Sequence, residues 1–180
     1  MKELSLNILD ISENSVKAGA TLTEILLTQS ENKLILKIKD DGCGMSEETV
    51  KSVMDPFYTT RTTRKVGMGV PLLKLACEQT GGKIEIVSDT TKENHGTIVT
   101  ALFFTDHIDF TPLGDVVSSV TTLIQGHPDT DFLFRHTTDK GEVFLDTREM
   151  REVLGDVPLN SYEVIKWIEE TLREQYSEIR

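Results

Sequence analysis

The stretch from Lys33 to Asp40 constrains the fold more than any other, because Leu34, Leu36 and Ile38 alternate within it. Side chains two apart on an extended strand point to one face, so these three enter an apolar layer together and Asp40 enters with them. A carboxylate aimed into such a layer must find hydrogen-bond donors. The preceding Leu22 to Thr28 also reads as extended, and the polar Gln29-Ser30-Glu31-Asn32 joins the two strands as a hairpin.

Helical spacing surrounds this hairpin. Leu4, Ile8 and Ile11 recur at helical intervals between Glu3 and Lys17, with Gly19 as a C-terminal stop. Ser46, followed by Glu47 and Glu48, is an N-cap for a short helix ending near Met54. A further helix begins near Met68 and runs to Gly81-Gly82 with Val70, Leu73 and Cys77 on one side, and strands follow at Lys83 to Ser88 and Thr97 to Phe104. Helices interspersed with hairpin-connected strands predict an α+β fold, a two-layer α/β sandwich with helices on one face of a mainly antiparallel sheet.

Charge then divides the chain. The 180 residues carry a net charge of −11, which disfavours nucleic acid and anionic lipid as partners. Residues 1–104 hold 12 basic and 14 acidic residues, whereas 105–180 hold 7 and 16. Two units are expected: residues 1–104, and an acidic α+β segment over 105–180. The second unit opens with a linker through Pro112 and continues with a helix (Val116 to Ile124), short strands (Phe132 to Arg135, Val143 to Leu145) and two helices. Asn160 and Glu163 form a capping-box pattern for the last helix, where Ile165, Ile168 and Leu172 make an apolar stripe. No apolar run reaches the roughly 20 residues of a membrane span and no signal peptide is apparent, so a cytoplasmic address is expected. Cys43 and Cys77 lack the spacing of a disulfide framework or a zinc site.

Three patches carry chemistry. Asp10 and Asn14, four apart on a helix, share a face on which a carboxylate and an amide oxygen suit a hydrated metal ion and an attacking water. Asp40-Asp41-Gly42-Cys43-Gly44-Met45 ends a strand with an inward carboxylate, suited to a purine amine, and two glycines that admit a flat ligand. From Asp55 to Val70, the cations Arg61, Arg64 and Lys65 and the pair Gly67 and Gly69 lead into a helix, an arrangement that favours polyphosphate. Each patch alone has an ordinary alternative: a solvated helix face, a glycine turn, a charged loop.

Together and in this order the patches resemble the motif set of the GHKL superfamily, the Bergerat-fold ATPases and kinases. Leu9 to Thr21 (LDISENSVKAGAT) resembles the N box of the MutL branch, and DDGCGM the first glycine box. DPFYTTR resembles the phenylalanine box of histidine kinases, and GMGVPLLK the second glycine box. The resemblance implies a Bergerat fold over residues 1–104 and binding of ATP with Mg2+. It implies that Asn14 ligates the metal and that Asp40 takes the adenine amine, with Gly42, Gly44 and Met45 beside the base. Lys65, Gly67 and Gly69 would cover the phosphates, and Thr60, Met68 and Val70 would belong to the same nucleotide site. Asp10 stands where ATPase branches carry a glutamate as general base, one methylene short. A domain without a phosphoacceptor hairpin is expected, and none of the four histidines has a phosphoacceptor context; each reads as a turn or surface residue. Cys43 reads as a small filler or a redox-sensitive thiol.

The expected function is therefore a magnesium-dependent ATP-binding regulator in signal transduction, a nucleotide switch with slow hydrolysis. A trans-acting protein kinase, serine- or histidine-directed, and a non-catalytic nucleotide-binding scaffold are the alternatives. Expected partners are ATP or ADP, a regulatory protein engaged through the C-terminal segment and, as one assembly, a second copy in a homodimer.

Overall fold

The computed structural model describes residues 3–55 and 68–180. In chain order the elements are α1 (Leu4–Lys17), β1 (Leu22–Ser30), β2 (Lys33–Asp40), α2 (Glu47–Met54), α3 (Gly69–Glu78), β3 (Lys83–Asp89) and β4 (Gly96–Phe104). Beyond these lie α4 (Val116–Gly126), β5 (Asp131–Thr138), β6 (Gly141–Asp146), α5 (Thr147–Leu154) and α6 (Tyr162–Glu178). The six strands form one sheet in the order β3-β4-β2-β1-β5-β6. Every pairing is antiparallel except β1 with β5, which run parallel.

The alternation in β2 does what its pattern demands. Leu34, Leu36 and Ile38 are each 1% exposed, and opposite them Leu27 and Ile25 on β1 and Phe103, Ala101 and Val99 on β4 complete an apolar layer. Helix α1 lays Leu4, Ile8 and Ile11 on this layer, and α3 adds Leu73 and Cys77. Ser46 caps α2 as the sequence predicts, accepting from the Thr49 N–H.

The chain after Phe104 returns to the same sheet. β5 zips along β1 from Leu22↔Asp131 to Thr28↔Thr137, and Phe132 and Phe134 enter the apolar layer beside Ile25. Val116, Val120, Leu123, Ile124, Ile168 and Leu172 from α4 and α6 are buried in the same cluster as Ile8 and Leu27. The cap of α6 departs from the expected pattern. Ser161, not Asn160, is the N-cap, because the helix begins one residue later, at Tyr162. The stripe of α6 is Val164, Ile168 and Leu172, with Ile165 at its margin, and Trp167 points outward, 53% exposed.

Candidate functional site

The site is organised around Asp40, the last residue of β2. Its register partners are Thr23 on β1 and Thr97 on β4, and Thr97 in turn faces Ser88 on β3, so a polar row closes one end of the apolar layer. The Ser15 hydroxyl, reaching over from α1, donates to Asp40 Oδ2 at 2.7 Å, and the Gly42 N–H donates to Oδ1 at 2.9 Å. These are the donors that the inward carboxylate required. Each oxygen keeps acceptor capacity beyond these bonds.

The following loop is held just as tightly. Asp41 turns away from the layer and accepts from the Thr21 N–H at 2.7 Å, the Leu22 N–H at 3.0 Å and the Thr21 hydroxyl. Partial burial opposes the charge of Asp41, but these donors prevail and hold its carboxyl below the usual carboxylate range. Gly42 is buried, and a Cβ there would lie 2.8 Å from the Ala18 Cβ. Gly44 has φ +76°, and a Cβ would lie 1.9 Å from the Asp89 carbonyl oxygen. No other residue type fits this approach of loop to hairpin. The half-buried Met45 donates its N–H to Ser88 Oγ at 2.7 Å, and Ser88 shares a hydrogen bond with Thr97 at 2.8 Å.

The second cluster lies where α1 meets the start of α3. Gly69, at the start of α3, packs so closely on this helix that a Cβ would stand 3.2 Å from the Asp10 Cβ and 4.0 Å from Asn14 Nδ2. Residues that are 59 apart in sequence thus meet at one helix N-terminus. Asp10 is half-buried, Asn14 exposed, and Met68, the N-cap of α3, 56% exposed. Val70 is 7% exposed and belongs to the core, so its side chain is occupied with packing. Thr60, Lys65 and Gly67 lie outside the described residues. Among the described residues no three His, Cys, Asp or Glu side chains converge to form a metal cluster.

Several participants carried no motif of their own. Ser15 is 4% exposed on α1, and its neighbour Asn14 masked its separate role. Thr97 and Ser88 become visible only through strand register. Of the histidines, His95 Nδ1 lies 2.8 Å from the Gly42 carbonyl oxygen and His127 Nε2 lies 2.8 Å from Glu13 Oε2. His136 departs from the surface reading: it is 3% exposed, inside the core, with Nδ1 2.7 Å from the Tyr176 hydroxyl. Cys43 is exposed and Cys77 buried, both as free thiols.

A mixed sheet with helices packed on its core face, and a carboxylate at the sheet end facing the helix that carries an acid and an asparagine, is the Bergerat ATPase fold. The chain belongs to the histidine kinase-, DNA gyrase B-, and HSP90-like ATPase family, whose model matches residues 2–107. Among characterised proteins it is similar to the sensor histidine kinase YvrG of Bacillus subtilis, 36% identical over 96 residues, half of this chain and 16% of that protein. It is also similar to the sensor protein SrrB of Staphylococcus aureus, 33% identical over 99 residues, covering 51% of this chain and 16% of that one. The matched stretch therefore spans less than a fifth of either protein. Among solved structures it is similar to the N-terminal domain of a DNA repair protein, with a TM-score of 0.59 and 16% identity over 81% of this chain and 53% of that one. The MutL ATPase domain of Aquifex aeolicus, solved with ADP, is similar with a TM-score of 0.53 and 15% identity over 85% and 69% of the two chains. Both likenesses of fold cover more of the chain than residues 1–104 alone could supply. No helix among the described residues is long and apolar enough to cross a membrane.

Proposed function

We propose that this chain binds ATP with Mg2+ and works as a nucleotide-dependent regulatory protein that hydrolyses ATP slowly. The observation that carries the reading is the double use of α1: Ser15 holds Asp40, while Asp10 and Asn14 on the same helix border Gly69. One rigid helix thereby spaces a carboxylate suited to a purine amine from an acid and an amide suited to a hydrated cation. Membership of the ATPase family supports the same reading.

In this reading the Asp40 carboxylate accepts the exocyclic amine, and Gly42, Gly44 and Met45 leave the face beside the base clear of side chains or bound to β3. Asn14 offers its amide oxygen to the metal. A magnesium ion held there would draw its other oxygen ligands from phosphate and water, because Mg2+ favours oxygen donors and keeps several waters. Met68, Gly69 and the backbone of Val70 meet the phosphates at the N-terminus of α3, where free N–H groups favour anions. For Thr60, Lys65 and Gly67 the assignment to the nucleotide rests on the motif resemblance alone. Asp10 orients the attacking water, from one methylene farther back than a glutamate would.

Titration calorimetry with ATP and GTP, with and without magnesium, tests the reading. ATP should bind, GTP poorly, and Asp40→Ala should lose roughly 1–3 kcal/mol, because the base amine is left without its acceptor. Wild-type affinity in Asp40→Ala would remove the base from this site. The similarity to sensor kinases favours a second reading, phosphoryl transfer in trans to a protein. Labelled γ-phosphate separates the two: release as inorganic phosphate supports the switch, transfer to a serine or histidine of another protein the kinase.

A further inference from the structure

Within Gly42–Met45, one tether comes from the side chain of an exposed residue. The Cys43 N–H donates to the Ala18 carbonyl at 2.9 Å, and the Met45 N–H to the half-buried Ser88 hydroxyl at 2.7 Å. The Gly42 carbonyl, by contrast, is held by an exposed side chain from the β3–β4 connection, His95, whose Nδ1 stands 2.8 Å away. A carbonyl oxygen only accepts, so Nδ1 carries the proton and donates. The same residue, Gly42, sends its N–H to Asp40 Oδ1 at 2.9 Å. His95, Gly42, Asp40 and Ser15 thus form one continuous chain of hydrogen bonds running from an exposed hairpin to α1.

We propose that His95 is a positioning residue for base recognition, acting through Gly42 to fix the direction in which Asp40 presents its remaining lone pairs. The proposal rests on the nucleotide reading given above. Nothing in the hairpin's own pairing requires this bond, since Ser88↔Thr97 and Asp89↔Gly96 already close the end of β3 and β4. What the bond adds is order in the Gly42–Met45 loop.

The test uses the full chain with His95→Ala and His95→Asn; the asparagine amide nitrogen takes the place of Nδ1. His95→Ala should bind ATP roughly three- to tenfold more weakly, as the loss of one hydrogen bond implies. Its midpoint of thermal unfolding without nucleotide should match wild type. His95→Asn should restore the affinity, and amide exchange across residues 42–45 should be faster in His95→Ala alone. Wild-type affinity and exchange in His95→Ala would overturn the assignment. So would a fall in thermal stability, with a loss of affinity that asparagine does not repair, since that marks a merely structural contact. If wild type itself binds no adenine nucleotide, the nucleotide reading fails and the role of His95 in base recognition fails with it; if wild type binds and His95→Ala equals it, only the His95 assignment falls.

Discussion

Asp10 is the residue on which turnover depends in the proposed reading, and its length sets the expectation. General-base catalysis contributes roughly 10²–10⁴-fold when the base reaches its water, and a shortened base forfeits part of that. Asp10→Glu should raise the rate of phosphate release and Asp10→Asn should lower it; a steady-state ATPase assay in which glutamate slows turnover would remove Asp10 as the base. Asn14→Ala should weaken the magnesium complex of ATP far more than metal-free ATP, and equal losses would take Asn14 away from the metal. The cysteines make a contrast that needs no nucleotide. Burial, with Glu78 nearby, pushes the Cys77 thiol up to about 11, and the side chain is fully enclosed, whereas Cys43 is exposed. Thiol-reactive dye should therefore label one cysteine quickly in the native protein and the second only on unfolding, and Cys43→Ser should abolish the fast phase.

At the scale of elements, the acidic C-terminal segment grips the helix that bears Asp10 and Asn14. The N–H groups of Leu4 and Ser5 donate to the carbonyls of Pro112 and Leu113, Ser119 Oγ donates to the Ser5 carbonyl, and His127 meets Glu13 one residue before Asn14. The free edge of β6 is closed by α6. The Phe144 N–H donates to Gln175 Oε1 at 2.7 Å and Gln175 Nε2 donates to the Phe144 carbonyl at 3.1 Å, so one side-chain amide stands in for a further strand. Beside it, burial lowers the His136 imidazole to about 4. The folded state therefore binds fewer protons than the unfolded chain between that value and the ordinary histidine range. Stability from this residue is intact at neutral pH, and on the order of 3 kcal/mol is lost as pH falls from about 6.5 to 4. Denaturant midpoints measured down this range should fall, and His136→Leu should flatten the decline; an unchanged slope would place the acid sensitivity elsewhere.

For the whole molecule, the continuity of the sheet makes a prediction about truncation. Removing residues 105–180 deletes the parallel partner of β1 and uncovers the faces of Ile8, Leu27 and Leu4 that pack in one cluster with Val120, Phe134 and Ile168. Residues 1–104 alone should bind hydrophobic dye, self-associate or lose most of their cooperative unfolding signal. A monomer of residues 1–104 that melts like the full chain would show the C-terminal segment to be an appendage, and would leave its contacts with α1 without energetic consequence.

Local chemistry made much of this protein legible from its sequence. Period-two alternation in β2, helical spacing in α1, the Ser46 cap and the glycine-framed Asp40 are decided by neighbours within a few residues, so the sequence by itself determined a two-layer α/β sandwich, while the Bergerat assignment and the proposed roles of Asp10, Asn14 and Asp40 came from the resemblance of these motifs to the GHKL set. What tertiary structure decided is what depends on partners far along the chain. Charge sets residues 105–180 apart, yet β5 pairs with β1 across more than 100 residues, because a parallel neighbour leaves no local turn to announce it. His136 read as a surface residue because the hydroxyl its ring meets, on Tyr176, lies 40 residues on. Ser15 and His95 converge on the Asp40 loop from 25 positions before Asp40 and 53 beyond Gly42, and only the folded register brings their donors to the acceptors that await them.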